Sequence, residues 1–264
     1  MEVEDIFKDA IEYPTKDGIK LLIFGVLFLI LGIFDILENF GISLDYNIGI
    51  QIVGIISGLI TIIFSILIDG YGLSITRETI NMQEAIPELD WEKNLIDGIK
   101  LFILKVVYYL IPFIAILIVA YVTGAFGHLY QILYFIIISG TTTIPQSLFF
   151  NLVTNFVGVF LIGAILYIFF SILYLIAIAK FAESDSLAES CNMINVLKKI
   201  NDIGWKNYIN WLIIFLVISL LLGFIMDVIG LIPIFGIIFL FLVFSPFLKM
   251  FTSRALGLIY NESK

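Results

Sequence analysis

Thr15–Phe24 reads TKDGIKLLIF and Leu95–Leu104 reads LIDGIKLFIL, so Asp-Gly-Ile-Lys stands twice at the foot of a long apolar run. A charged tetrapeptide repeated at the same moment of two apolar segments is the mark of a recurring elbow. Asp caps the open amides of an incoming helix, Gly lets the chain turn sharply, and the Lys stem lies along apolar surface while its ammonium reaches polar headgroups. The apolar runs behind the elbows are long enough to cross a bilayer, and that decides the fold class.

Composition agrees. The chain is 61% apolar and 14% charged, with a mean hydropathy of +1.11. Soluble domains average about 45–50% apolar and about 25% charged, so a normal wet surface is out of reach. A net charge of −8 argues against nucleic acid, which needs clustered Lys and Arg, and against electrostatic recruitment to an anionic surface. Cys191 is the single cysteine, so no intrachain disulfide forms.

A spanning helix takes about 20 apolar residues. Six stretches qualify: Ile19–Leu37, Ile48–Ile68, Ile99–Val122, Phe156–Ala179, Tyr208–Met226 and Ile229–Leu248. The first is read as a retained span rather than a leader, because the residues before it are acidic and it exceeds a normal signal core. Leu129–Ile138 is too short to span and suits a re-entrant or interfacial segment. The fourteen Lys and Arg fall in four clusters, and none lies in the intervening loops Glu38–Asn47, Thr123–Asn155 and Asp227–Val228. Six spans place every cluster on one side, which the positive-inside rule makes cytoplasmic, with both termini there.

The elbows now fall into a pattern. Each of three hairpins opens on Gly-x-Lys: Asp17-Gly18-Ile19-Lys20, Asp97-Gly98-Ile99-Lys100 and Gly204-Trp205-Lys206. Each closes on one basic residue: Arg77, Lys180 or Arg254. Upstream of each opening lies an amphipathic stretch. Val3, Ile6, Phe7, Ala10 and Ile11 share one helix face, as do Leu187, Cys191, Ile194, Leu197 and Ile200; Ile86, Leu89, Leu95 and Ile96 do so less regularly. The expected architecture is all-α: an integral membrane bundle of six transmembrane helices in a single domain, 1–264. It is built as three hairpin repeats (about 1–80, 81–185 and 186–264) with amphipathic cytoplasmic helices. The acidic first helix is expected to dock on the protein's own inner surface, opposite Lys198 and Lys199.

The set DAIEYPTKDGIK (Asp9–Lys20), YGLSITRETI (Tyr71–Ile80), AIPELDWEKNLIDGIK (Ala85–Lys100), YYLIP (Tyr108–Pro112) and SRALGLIY (Ser253–Tyr260) resembles a family of uncharacterised multi-pass membrane proteins common in methanogenic archaea. The third elbow departs from it, with Ile203 where the others carry Asp. The resemblance implies a fold and a membrane location, and brings no catalytic residues with it.

Few residues invite chemistry. Asp35, Glu38, Asp45 and Asp227 read as solvated charge at outer helix ends, Asp69 closes the second span, and Lys105 snorkels. No chain of ionisable groups at depth suggests a proton relay. His128 has no Cys partners, and zinc needs three or four ligands. No phosphate loop, nucleophile elbow or zincin motif occurs. The polar SGTTTIPQS from Ser139 reads as an outer turn. Gly54 with Gly58, and Gly158 with Gly163, are expected to thin helices for packing; Pro112 and Pro233 to kink spans; Trp91, Trp205 and Trp211 to anchor at the interface. No catalytic, cofactor or metal site is expected, and the protein is read as no enzyme. It is expected in the plasma membrane, with the lipid bilayer and another membrane protein or a homo-oligomer as partners. The function expected is organisation of lipid or a partner through the cytoplasmic collar, the alternative being a transporter or channel for a small or apolar solute.

Overall fold

The computed structural model describes residues 3–33, 36–37, 48–137 and 145–262, and every regular element among them is helical. α1 (Val3–Glu12) leads through a 3-10 turn (Tyr13–Lys16) into α2 (Gly18–Leu31). Then come α3 (Ile48–Ile80), α4 (Trp91–Val122), α5 (Ala125–Ile137), α6 (Gln146–Ser184), α7 (Leu187–Cys191), α8 (Met193–Ile203) and α9 (Trp205–Gly230). α10 (Phe235–Phe239) passes through a π-helical turn, Leu240–Phe244, into α11 (Ser245–Asn261). Among the described residues five helices are long and apolar enough to cross a bilayer: Ser57–Ile80 of α3, α4, α6, α9, and the continuous run Phe235–Asn261. α2 is apolar but only 14 residues long. Asp35, Glu38 and Asp45, expected at outer helix ends, and residues 139–144 of the expected outer turn lie outside the described residues.

Local chemistry sets the helix ends. The Asp17 carboxylate accepts the amides of Ile19 and Lys20 at 3.1 and 3.0 Å, opening α2. The side chain of Asn192 caps α8 by accepting from Ile194 N at 3.0 Å, and Gly204, at φ 90°, separates α8 from α9. α4 opens at Asp90, whose carboxylate accepts from Lys93 N at 3.0 Å. The second DGIK therefore lies inside a continuous helix, and Asp97-Gly98 is not an elbow: a cap seven residues upstream has already started the helix. The last hairpin also turns later than its sequence suggests. α9 runs through Asp227 to Gly230, and the turn that follows holds Pro233 and Ile234, the latter at φ 62°. Pro233 thus breaks no span, and α4 continues through Pro112.

The chain divides into two compact units. In the first, Met1–Leu104 with Leu175–Lys264, the core joins Tyr13, Leu21, Phe24, Leu27, Leu67, Tyr71, Ile75 and Met250. α1 buries Ile6, Phe7 and Ala10. The Phe7 ring stacks on Trp211 at 6.0 Å, and Trp211 stacks on Phe215 at 5.0 Å and Tyr208 at 6.0 Å. Trp211 is therefore a core residue, not an interface anchor; Trp91 and Trp205 are exposed. α3 and α4 cross with their backbones touching. A Cβ on Gly98 would collide with the Ile66 carbonyl, and one on Gly70 with the Asn94 carbonyl. These glycines carry the close approach, while Gly58 and Gly158 face open space.

The second unit, Lys105–Tyr174, holds the rest of α4, all of α5 and most of α6. The Tyr109 and Ser171 hydroxyls bond at 2.9 Å, and Tyr109 stacks on Tyr167 at 5.0 Å. Asn155 Nδ2 donates to the Thr123 carbonyl at 2.8 Å. The short apolar segment expected around Leu129–Ile138 forms α5. Large apolar side chains stand exposed in both units, among them Phe113, Phe160 and Ile165 here and Leu216, Leu220 and Phe224 on α9. A soluble monomer rarely exposes contiguous apolar area beyond a few hundred Å², so this surface requires an apolar solvent.

The crossing makes a sharp contrast between the two DGIK glycines. Gly98→Ala should destabilise by about 1–3 kcal/mol, as overpacking does, because its Cβ meets backbone that cannot rotate away. Gly18, with nothing within 4 Å of an added Cβ, should accept Ala with unchanged or raised stability. Thermal unfolding in detergent reads both, and equal melting temperatures for the two variants would contradict the crossing.

Candidate functional site

One end of the first unit gathers the charged residues singled out in the sequence. Arg77 Nη1 donates to Asp97 Oδ2 at 2.8 Å, and its Nε to the Ala182 carbonyl at 3.3 Å. Asp97 is 5% exposed, so this pair is desolvated. Lys100, one turn on, reaches Asp185 at 3.2 Å and lies over the Phe181 ring. The second DGIK is thus a lock between α3 and α4, with Asp97 holding the arginine and Gly98 admitting the backbone.

Arg254 on α11 is held more completely. Its side chain is 6% exposed. Nε and Nη2 donate to the two oxygens of Asp9 at 2.6 and 3.2 Å, and Nη1 donates to the Gln83 carbonyl at 2.8 Å. The guanidinium also lies 4.8 Å from the centre of the Tyr13 ring. Burial pushes the Tyr13 phenol well above its ordinary range, with Arg254 opposing, and its hydroxyl donates to the Ala85 carbonyl at 3.3 Å. α1 therefore docks through Asp9 and Phe7 on α9 and α11, and its ionic partner is Arg254 rather than Lys198 or Lys199. Lys199 instead lies 3.9 Å from the centre of the Tyr260 ring.

Lys180, the third basic residue of the set, bonds Glu183 at 3.2 Å and reaches Glu189 at 3.7 Å; Glu183 also accepts from the Tyr260 hydroxyl. At the first DGIK, Lys20 donates to the Ile86 carbonyl at 2.7 Å and pairs with Glu88 at 2.8 Å, while Gly18 sits in the open first turn of α2. At the third opening Gly204 forms the joint between two helices, and Lys206 is exposed in the first turn of α9. The three openings thus have three local structures.

A second constellation escapes a sequence reading. Asp69 on α3 and Lys249 on α11 form a close ion pair beside a cavity of about 110 Å³ in the first unit. Thr76, Trp211, Thr252 and Ser253 also line it. The two partners are 180 residues apart, and each alone looks like a charge at a span end; no periodicity joins them. Among the described residues, no three His, Cys, Asp or Glu side chains gather as a metal ion would need.

The Asp97 geometry has a direct consequence. Asp97→Asn leaves the buried Arg77 with only the longer pairing of its Nη2 to the exposed Asp185 at 3.7 Å and should cost about 3 kcal/mol, as one-sided loss of a buried pair does. Asp17→Asn keeps a good cap and should change stability little. Denaturant or thermal unfolding of the two variants checks this, and a tolerated Asp97→Asn would mean that the pair contributes nothing.

No curated protein and no solved structure matches the chain. One family does, described as a protein of unknown function (DUF4013), and the match covers residues 52–231. That range includes α4, α6, most of α3 and all of α9. It extends over more than half of the chain, and the protein belongs to this family.

Proposed function

We propose that the protein is a six-span, non-enzymatic plasma-membrane protein whose cytoplasmic collar organises lipid or a partner protein, either another membrane protein or a second copy. The observation that carries the reading is the way the three closing basic residues are bonded. Taking the hairpin units as 1–80, 81–185 and 186–264, each reaches a carboxylate of the unit that follows: Arg77 to Asp97, Lys180 to Glu189, and Arg254 back to Asp9. The last bond closes the series on itself. Lys180 makes its shorter bond to Glu183 within its own unit, so the second link is the weakest. A ring of this kind is stiff, and stiffness suits a platform.

The sixth span rests on α2, apolar from Leu21 to Leu31 and entered at Asp17, with Lys20 in its first turn beside the basic collar. The orientation rests on the one-sided Lys and Arg. In a Cys191→Ser background, cysteine at Asn39 or Thr142 should react with an impermeant thiol reagent applied outside cells, and cysteine at Glu84 or Ser184 should not. Outside labelling at Ser184 would overturn the six-span topology.

The alternative, a transporter or channel for a small solute, is favoured by one observation, the Asp69–Lys249 pair beside its cavity. The two readings separate experimentally. A platform should retain a stoichiometric protein or lipid through purification in gentle detergent and show no solute flux in liposomes. Saturable flux with nothing retained would reverse the choice.

A further inference from the structure

The cavity beside Asp69 and Lys249 carries unspent hydrogen-bonding capacity. The Trp211 side chain is fully buried, and its indole Nε1 has no hydrogen-bond partner. A buried donor without an acceptor costs free energy that folding ordinarily avoids. The Thr76 hydroxyl is spent on the Gly72 carbonyl at 3.0 Å, and the Thr252 hydroxyl on the Lys249 carbonyl at 3.0 Å. The ammonium of Lys249 bonds one Asp69 oxygen, leaving further N–H groups and the second carboxylate oxygen to face other partners.

Size and depth fit a ligand better than a single ordered water. One water needs only about 10–15 Å³ of probe-occupied space, against about 110 Å³ here. Asp69 lies eight residues before Arg77 on one continuous helix, or about 12 Å along its axis toward the apolar side. Ionisable groups at such depth mark sites of binding or passage.

The charge balance selects the ligand class. The pair is self-neutralising, so a lone anion or a lone cation would bring an uncompensated charge into a partly desolvated site. A ligand with both signs does not. We propose that this cavity binds a small zwitterion, its anionic end taken by the Lys249 ammonium and its cationic end by Asp69, beside the buried Trp211 ring. Two sources share that chemistry: a free amino acid-like solute, and a zwitterionic lipid headgroup entering from the bilayer. The site goes beyond the platform reading and does not rest on it, since binding is measured without partner or flux.

The test uses Trp211 as its own reporter. Trp91 and Trp205 are exposed, so Trp91→Phe with Trp205→Phe leaves one buried indole. The full chain, delipidated in maltoside, is titrated with glycine and separately with glycerophosphoethanolamine. A saturable shift of Trp211 emission with at least one is expected; response to glycine alone points to a free solute, response to the headgroup alone to lipid. Acetate and methylammonium, with one charge each, should produce no saturable shift. Asp69→Leu with Lys249→Met removes both charges together and should abolish the response with the melting temperature held. If that variant does not fold, equilibrium dialysis of labelled glycine and labelled glycerophosphoethanolamine against the unaltered chain measures the same binding directly. No saturable response to either zwitterion, an equal response to acetate or methylammonium, or binding that survives loss of the pair would overturn the proposal.

Discussion

A buried guanidinium must be met on every side, and at Arg254 that requirement organises the end of the first unit. One side chain ties α11 to Asp9 of α1 and to the Gln83 carbonyl of the segment after α3, and covers the Tyr13 ring. None of these partners is close to it in sequence. Were α1 to leave, the arginine would lose its bidentate carboxylate while staying walled in by the core, so the short acidic helix is held by the penalty of an unpaired charge. The aromatic stack of Phe7, Trp211 and Phe215 adds apolar burial to the same joint.

Arg77 plays the corresponding part between α3 and α4, with a second constraint. Its bond to Asp97 is short because the helices touch backbone to backbone at Gly70 and Gly98. Packing and charge depend on each other there: a side chain at Gly98 would push α4 away and lengthen the ion pair. Membrane helices lack a hydrophobic force between one another and rely on such close contacts. The exposed apolar faces of α9 leave the rest of the surface to lipid.

Much of this was legible in the residues. Apolar runs of spanning length foretold the long helices, and Asp17 was readable as a cap because capping is local. The stripe of Val3, Ile6, Phe7, Ala10 and Ile11 foretold that α1 would dock on the protein, although only Ile6, Phe7 and Ala10 are buried and Ile11 stays exposed. The partner was not readable, because Lys198, Lys199 and Arg254 are equally basic on paper and only the tertiary fold brings Arg254 to Asp9. The repeated DGIK misled for a related reason. Two identical tetrapeptides have opposite surroundings, one following a 3-10 turn and the other following a helix already capped at Asp90. The Asp69–Lys249 pair lay further out of reach, being long-range and without a motif. Of the Gly54–Gly58 spacing, Gly58 faces open space, and the close crossing uses Gly70 and Gly98, which stand far apart in the chain.

Hydrogen exchange on the full chain in lipid nanodiscs tests most directly whether the buried arginines knit this end into one cooperative unit. Local segments that open independently exchange faster than the global limit. The amides of Val3–Glu12 should therefore exchange as slowly as those of α11 around Arg254, and both should quicken together when Asp9 is replaced by Ala. If Val3–Glu12 exchanges like a free peptide while α11 stays protected, with or without Asp9, the account of this end as a single locked structure is contradicted.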